Sequence, residues 1–462
     1  MSEPTETSLR VTHRAAAVSI ARLLLIGLSA CSSYRAEPLP RAPLAAPRRP
    51  LDAPRLRVAR RELHRPVDTS VPIDLSDGLT PDEAAVIAVL LNPDLIAARD
   101  AHGEAEAQVL IAGILPNPVL GAGIDHPFGP GSAGTSNALN LSLGLDLKPF
   151  IARSARRRAA AAATDQVDLG IAWHEWQVAQ QARLLVVRLG WLRTRVQLAA
   201  DEVDFNQRAV EAASSATHAG DATLEQLGVQ RAALESVRRT LNQLEQAESE
   251  TEGSLRALLG NPALDRLDVV EPTAPRAAEP VDLELCLAAR LDLAALRLGY
   301  QAGEEQLRAA VLEQFPAVTV GVAYQRNEVA LDFIGGFVNV ELPVFNRNQG
   351  MVKLGEATRR RLEHEYDARA AGARADVERL FRFSALVGRQ LPEVEQSIAP
   401  LADIELRERE AVSRGDIARL SYQTVRSALF EQRLQAATIG QALDEARIGV
   451  ETTCGGDVRR LH

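Results

Sequence analysis

Cysteine and histidine are the residue types here best suited to nucleophilic or metal chemistry, and the 462 residues contain 3 and 8 of them. Cys286 and Cys454 are isolated, because neither belongs to a CxxC pair and neither has a histidine at metal-ligand spacing. We therefore expect two small thiols, buried or on a helix surface. The histidines do not cluster, so we expect no metal site.

The motifs of common enzyme classes are also missing from the sequence. Gly121-Ala122-Gly123 lacks the third glycine of a dinucleotide-binding loop, and there is no P-loop, HExxH or Gly-x-Ser-x-Gly. We predict that the chain is not an enzyme and binds no cofactor.

Cys31 lies in a different setting from the other two cysteines. Arg10 and Arg14 precede an apolar stretch over residues 15–28, and the small residues Ser29 and Ala30 lead into Cys31. Basic, apolar and then small residues are the layout of a secretory signal. The ending Leu-Ser-Ala-Cys resembles a bacterial lipobox, in which the cysteine is acylated and becomes the new N-terminus.

We predict a lipoprotein signal peptide over residues 1–30 and a lipid anchor at Cys31. Ser32 follows the cysteine, where an aspartate would resemble the signal for retention at the inner membrane, so an outer-membrane destination is implied. Arg22 interrupts the apolar stretch, and an ordinary N-terminal helix therefore remains the alternative.

Composition favours long helices over ordinary globular domains. Aromatic residues make up only 4% of the chain, whereas Ala, Leu, Arg, Glu and Gln are abundant. The net charge is −9 and the positive charge is dispersed, so there is no basic patch for nucleic acid. No stretch after the N-terminus reaches the ~20 apolar residues of a membrane-spanning helix, so any crossing must use strands.

The chain reads as a tandem duplication. Asp94-Leu95, Pro118 and Gly123 recur 198 residues later, at Asp292-Leu293, Pro316 and Gly321. Further on, matches such as Phe150 with Phe345 and Gly220-Asp221 with Gly415-Asp416 are 195 residues apart. We predict a Pro/Arg-rich tether (31–74), a first repeat (75–270), a linker (271–281), a second repeat (282–455) and a tail (456–462).

Each repeat contains a pair of segments with period-two alternation, which is strict at 137–147 and weaker at 117–126. Between residues 137 and 147 every second residue is leucine, and the residues between these leucines are polar or small. We predict strands at 117–126, 137–147, 316–325 and 333–343. The residues expected on the polar, lumen-facing side are Asn140, Ser142, Asp146, Asn339 and Glu341.

Strand length and the placement of aromatic residues favour a membrane barrel over a soluble sandwich. The segments approach the ~9–11 residues of a tilted transmembrane strand. Phe128, Tyr324 and Phe333 lie at the loop ends of the strands, which resembles an interfacial aromatic girdle. Four strands cannot close a barrel, and an open edge in lipid leaves amides unpaired. Several copies must therefore share the sheet, and two or three copies would both be allowed.

A long helical segment follows each strand pair, and residues 150–219 of the first contain no proline. We predict helical hairpins over residues 150–260 and 348–450, with coiled-coil packing and with kinks or a break at Pro392 and Pro400. At each hairpin turn, Gly220 or Gly415 is expected to end one helix in the left-handed conformation, and the following Asp221 or Asp416 to cap the next.

Duplicated strand pairs and long hairpins behind a lipobox resemble the TolC family of outer-membrane efflux proteins. Leu115-Pro-Asn-Pro118 leads into a strand, and residues 342–350, Leu-Pro-Val-Phe-Asn-Arg-Asn-Gln-Gly, resemble the strand-to-helix junction of the heavy-metal efflux branch. The two hairpin turns resemble the tips of the family. The resemblance covers residues 75 to 455.

The resemblance implies a mainly α-helical chain that forms a homotrimer. In it, a 12-stranded β-barrel in the outer membrane continues as a helical barrel in the periplasm. It also implies a periplasmic adaptor protein that contacts the tips and an inner-membrane pump, possibly of the RND type. The tip residues carried over are Gly220, Asp221, Arg414, Gly415 and Asp416.

Function is then expected to be passive, gated conduction of compounds that the pump exports. Asp146 and Glu341 occupy matched positions of the two repeats and could ring the lumen with carboxylates that favour cations; the alternative is two solvated acids near the rim. The exported compound, metal or drug, stays open. The rival hypothesis is a structural or adhesive coiled-coil lipoprotein of the envelope, which accounts for the helices but not for the alternating strands.

Overall fold

The computed structural model describes residues 34–39, 56, 73–260, 267–415 and 419–456, with only the backbone described for Arg419 and Leu420. Residues 34–39 belong to the first of two units of the chain, residues 1–48. They have no regular secondary structure and are exposed. All elements below belong to the second unit, residues 49–462. Cys31 and Asp416 lie outside the described residues.

The elements of the second unit form two sets in the same order: two helices, two strands, a very long helix and a shorter return helix. The first set is α1 (Pro81–Leu91), α2 (Pro93–Gly113), β1 (Val119–Asp125), β2 (Ala138–Asp146), α3 (Lys148–Ala219) and α4 (Leu224–Leu258). The second set is α5 (Leu283–Ala289), α6 (Leu291–Leu312), β3 (Val318–Arg326), β4 (Asp332–Val340), α7 (Gln349–Arg414) and α8 (Arg419–Cys454). This order is the one that a tandem duplication would produce.

Local sequence explains where α1 begins. The Thr80 side chain accepts a hydrogen bond from the Glu83 backbone N–H at 3.3 Å, and the Glu83 carboxylate accepts one from the Thr80 N–H at 3.0 Å. This reciprocal pair is a capping box, and Pro81 occupies the first helical position, where it has no N–H to leave unpaired. The sequence Thr-Pro-Asp-Glu at residues 80–83 itself favours this cap, so the start of α1 follows from local residues.

The sequence predicts kinks or a break at Pro392 and Pro400, and a break is wrong, because α7 continues through both prolines. A proline inside a helix removes one hydrogen bond and costs about 3 kcal/mol. Packing against α8 offsets this cost: Leu391 and Val394, on either side of Pro392, belong to one buried cluster with Leu443. Tertiary contact therefore holds the helix together where local propensity would end it.

The four strands form one antiparallel sheet in the order β1-β2-β3-β4. The central pairing joins the two sets, because β2 pairs with β3 from Leu139↔Arg326 to Asp146↔Thr319. Within the chain, β1 and β4 are the edges and each has one neighbour. The sheet therefore has two rows of backbone groups without an intrachain strand partner.

The two sets also contact each other along α3 and α8, through ion pairs and a tryptophan. Arg188 pairs with Glu445 at 2.8 Å, Arg183 pairs with Glu451 at 2.8 Å, and the Trp191 indole donates to Asp444 at 3.0 Å. A Cβ added to Gly440 would lie 2.6 Å from the Trp191 ring. The ring therefore needs a glycine opposite it, and the helices approach closely there.

A disulfide bond corrects the expectation for two of the cysteines. Cys286 of α5 and Cys454 at the end of α8 are bonded, with their Cα atoms 4.5 Å apart and a sequence separation of 168. Both are fully buried, in a cluster with Val377 and Val450. Sequence spacing could not reveal this pair, because the fold alone brings the start of the second set against its end. Such a bond is typical of proteins that leave the reducing cytoplasm.

Replacing Cys286 and Cys454 together by alanine should lower the stability of the oxidised protein substantially. In the chain-entropy description, a cross-link over a loop this long contributes about 5 kcal/mol, most of it by restricting the unfolded chain. The thermal unfolding midpoint of the detergent-solubilised protein would measure the loss. Peptide mapping without reductant should recover the two cysteines as one linked pair, and recovery of both as free thiols would contradict the assignment.

Candidate functional site

The sheet has two chemically different faces, and strand register assigns every residue to one of them. Paired residues of antiparallel strands share a face, and the faces alternate along each strand. One face, called the polar face, carries Val119, Gly121, Gly123 and Asp125 of β1, Ala138, Asn140, Ser142, Gly144 and Asp146 of β2, Thr319, Gly321, Ala323 and Gln325 of β3, and Phe333, Gly335, Phe337 and Asn339 of β4. The opposite, apolar face carries mainly leucine, valine and isoleucine.

Four of the five residues predicted to face a lumen share the polar face. Asp146 pairs with Thr319, which pairs with Asn339, so these three form one row across three strands. Asn140 lies on the same face and donates a hydrogen bond to the Asp125 carboxylate at 2.9 Å. Ser142 lies between Asn140 and Asp146 on β2, opposite Ala323 of β3.

Glu341, the fifth predicted residue, follows the last residue of β4. Its backbone N–H donates to the Ala317 carbonyl at 2.9 Å, which extends the pairing by one step, and its side chain is exposed. Asp146 also has a local role, since its carboxylate accepts a hydrogen bond from the Lys148 N–H at 2.9 Å where β2 turns into α3. Asp146 and Glu341 match in the repeats, but they do not lie in the same row of the sheet. Glu341 lies one row nearer the helices than Asp146.

The apolar face is largely uncovered in the single chain. Ile334 is 85% exposed, Val338 is 65% exposed and Leu143 is 47% exposed. Contiguous apolar surface of this kind marks a contact with lipid or with another chain rather than with water. No helix in the described ranges has the length and hydropathy to span a bilayer.

Two phenylalanines depart from the expected pattern. Phe337 pairs with Gly321 and Phe333 pairs with Gln325, so register places both on the polar face. A girdle residue would lie on the apolar face, as Tyr324 does, so Phe333 does not fit the predicted interfacial girdle. Sequence alternation alone predicts the polar face for both phenylalanines, because each is an even number of residues from Asn339. The position of Phe333 near the end of its strand carries no information about the face.

The two hairpin tips lie at the far ends of the long helices. At 1.5 Å per residue, the 72 residues of α3 span roughly 108 Å between the sheet and the first tip. Gly220 has φ +85° and Gly415 has φ +81°, which confirms the predicted left-handed conformation at both turns. Arg414 is the last residue of α7.

The cap of the helix after the first tip differs from the prediction. Thr223, rather than Asp221, caps α4 through a reciprocal pair with Gln226. The Asp221 backbone N–H instead closes the preceding helix by donating to the Ala216 carbonyl at 2.9 Å. A capping box satisfies two backbone N–H groups at once, so the Thr-x-x-Gln pattern prevails over the lone aspartate.

A buried polar cluster lies between the four long helices near the tips, and no sequence pattern predicted it. Arg426 of α8 lies 3.2 Å from Glu202 of α3 and 3.7 Å from Glu405 of α7, and its guanidinium stacks 4.4 Å from the centre of the Phe205 ring. The Tyr422 hydroxyl donates to Glu405 at 2.8 Å. Gln230 of α4 and Gln423 are hydrogen-bonded at 2.7 Å.

Burial sets the protonation preference inside this cluster. Glu202 is only 2% exposed, and this burial raises the pKa of its carboxyl above the usual value, while Arg426 and Asn206 act in the opposite direction. Burial, together with Glu405, also raises the pKa of Tyr422. The cluster therefore depends on one arginine to compensate the buried acids. In the described ranges, no group of three or more His, Cys, Asp or Glu side chains is arranged to hold a metal ion.

Replacing Arg426 by methionine should destabilise the helical region by about 3 kcal/mol at neutral pH, because it leaves the Glu202 carboxylate buried without its cation. A carboxyl whose folded-state pKa is raised gains relative stability as the pH falls, so the deficit should shrink on acidification towards pH 5. Unfolding midpoints between pH 7.5 and 5 measure this. The control is Arg433→Met, because Arg433 is an exposed arginine of the same helix. An equal effect of the two substitutions at every pH would contradict the role of Arg426.

Comparisons with known proteins agree with this architecture. The model of the Outer membrane efflux protein family matches residues 283–456. A search of curated proteins finds no sequence match. Among solved structures, CusC has a TM-score of 0.67 at 16% identity. The alignment covers 92% of this chain and 100% of the CusC chain.

Two further channels have a similar fold. The outer membrane protein VceC of Vibrio cholerae has a TM-score of 0.66 at 16% identity, with 82% of this chain and 96% of that chain covered. The CmeC outer membrane channel of Campylobacter jejuni has a TM-score of 0.69 at 13% identity, with coverages of 93% and 97%. The resemblance to TolC-family proteins is thereby confirmed: residues 283–456 carry the sequence pattern of the outer membrane efflux protein family, and the chain has the fold of these outer-membrane channels.

Proposed function

We propose that the protein is the outer-membrane channel of a tripartite efflux system, and that it passively conducts compounds that an inner-membrane pump exports through a periplasmic adaptor. The observation that carries this proposal is a sheet with one polar and one exposed apolar face at the end of helices 66 and 72 residues long. Lipid would cover the apolar face, and the polar face would line a wet pore.

Strand length is compatible with a membrane crossing. Three of the four strands have 9 residues and β1 has 7, close to the ~9–11 residues of a tilted transmembrane strand. In lipid, the free edges of β1 and β4 would leave their backbone groups unpaired at several kcal/mol each. Pairing β1 of one copy with β4 of the next removes both edges.

The proposed assembly is a homotrimer, as the resemblance implies. Three copies of a four-stranded sheet form a barrel of 12 strands, which satisfies the even count of bacterial barrels. The helices α3, α4, α7 and α8 would continue this barrel into the periplasm. Tandem duplication of a strand pair with its hairpin would explain why each copy supplies two similar wall segments.

The attachment sites belong to the same proposal. Acylation of Cys31 would anchor the chain in the outer membrane, with residues 31–74 as a tether. The tips around Gly220 and Gly415 would contact the adaptor, because they are the ends farthest from the sheet. A structural coiled-coil lipoprotein is not favoured, since it would have no use for a two-faced sheet.

The sheet offers a test with neighbouring residues on opposite faces. Leu143→Arg places a charge on the proposed lipid face, where it should cost about 2–4 kcal/mol near the bilayer midplane and prevent stable trimers. Ser142→Arg, one residue away on the polar face, should leave assembly intact and alter ion conduction. Heat-modifiable trimers on gels and single-channel currents in planar bilayers measure the two effects. If both variants assemble equally well, or if the wild type forms no channels, the proposal is wrong.

The second tip can be tested separately from the channel. Gly415→Val puts a β-branched residue at φ +81°, a conformation that costs it roughly 1–3 kcal/mol. The tip should distort while the barrel remains. We expect normal channels in bilayers but reduced export and reduced cross-linking to the adaptor in cells. Gly372→Ala, in the same helix with open space around it, is the control. Unchanged cross-linking in Gly415→Val would argue against adaptor contact at this tip.

A further inference from the structure

We propose that Phe337 and Asp146 form a weak contact site for organic cations that carry an aromatic ring, on the polar face of the sheet. This inference rests on the proposed function, because it requires the polar face to line the pore. It deepens that function by naming a class of cargo.

The Phe337 ring packs over two glycines of the neighbouring strands, Gly321 and Gly144, which together are called the glycine seat. A Cβ added to Gly321 would lie 2.5 Å from the ring, and one added to Gly144 would lie 3.4 Å from it. The ring therefore lies across two neighbouring strands at the positions where glycine leaves room for it. Phe337 is partly buried, whereas every other residue of β4 is exposed. Seating a ring over glycine in this way also stabilises a strand that would otherwise lack side-chain contacts.

The charge around this ring has one sign. Within the four strands, the polar face carries Asp125 and Asp146 and no lysine or arginine. Asp146 is two residues beyond Gly144 on the same strand and the same face, a separation of roughly 6.7 Å. The row that contains the carboxylate, Asp146-Thr319-Asn339, is therefore the next polar-face row after Gly144-Gly321-Phe337.

An aromatic ring beside a carboxylate is suited to a particular kind of solute. The ring face attracts a cation through its quadrupole and stacks with another ring, while the carboxylate favours positive charge and opposes anions. A small hydrated metal ion would gain little from the phenyl face. The contact is only partly buried and is weak, as conduction requires, because a solute that bound tightly would not leave the pore.

The site can be tested with the full-length protein in planar bilayers. The probes are benzyltrimethylammonium, tetramethylammonium without the ring, and benzenesulfonate with the opposite charge. We expect benzyltrimethylammonium to reduce the single-channel potassium current at the lowest concentration of the three. Phe337→Leu keeps an apolar side chain but removes the ring face, and should weaken this block roughly two- to fivefold, the factor that an exposed cation–π contact supplies.

Two further variants separate the parts of the site. Asp146→Asn retains an oxygen that can accept from the Lys148 N–H and should also weaken the block by benzyltrimethylammonium. Phe333→Leu, on the same face but away from the glycine seat, should leave it unchanged. An equal block in the wild type and Phe337→Leu, an equal block by the cation and by benzenesulfonate, or an equal loss in Phe333→Leu would each overturn the inference. Absence of any channel in the wild type would instead overturn the proposed function.

Discussion

The difference between the two faces of one small sheet is the constraint on which the rest of the structure depends. Leucine, valine and isoleucine side chains on one face are exposed in the single chain, and glycine, asparagine and serine lie on the other. Water cannot favourably cover the first face, and lipid cannot favourably meet the unpaired backbone of the β1 and β4 edges. A closed sheet shared between copies, with lipid outside and water inside, satisfies both conditions.

The long helices place this sheet and hold its two halves in register. Each pair of strands comes from a different set of elements, and the pairs meet only where β2 pairs with β3. The contacts between α3 and α8, with Arg188, Trp191 and their acidic partners, join the sets over many helical turns. The disulfide between Cys286 and Cys454 connects the two ends of the second set covalently. A slip of either strand pair by one residue would exchange its faces, so these contacts between the sets favour the observed register.

Charged side chains are more deeply buried near the tips than on the sheet. On the polar face, Asp125 and Asp146 accept hydrogen bonds from neighbours and remain near the surface. Near the tips, Glu202 is buried and depends on Arg426. The carboxylates of the sheet make local contacts, whereas the charges near the tips join helices of both hairpins.

Much of the architecture could be predicted from the sequence, because its determinants are local and periodic. Alternation of leucine with polar residues identified β2 and its two faces, the capping box at Thr80 identified the start of α1, and the glycines at 220 and 415 identified both tips. The resemblance at residues 342–350 pointed to the outer membrane efflux protein family, whose model matches residues 283–456. Only the tertiary structure decided which distant residues meet: the bonding of Cys286 to Cys454, the continuity of α7 through Pro392, the Arg426 cluster and the seat of Phe337 on Gly321. Each of these depends on contact between residues far apart in the chain, and a single sequence records the two partners without recording that they touch.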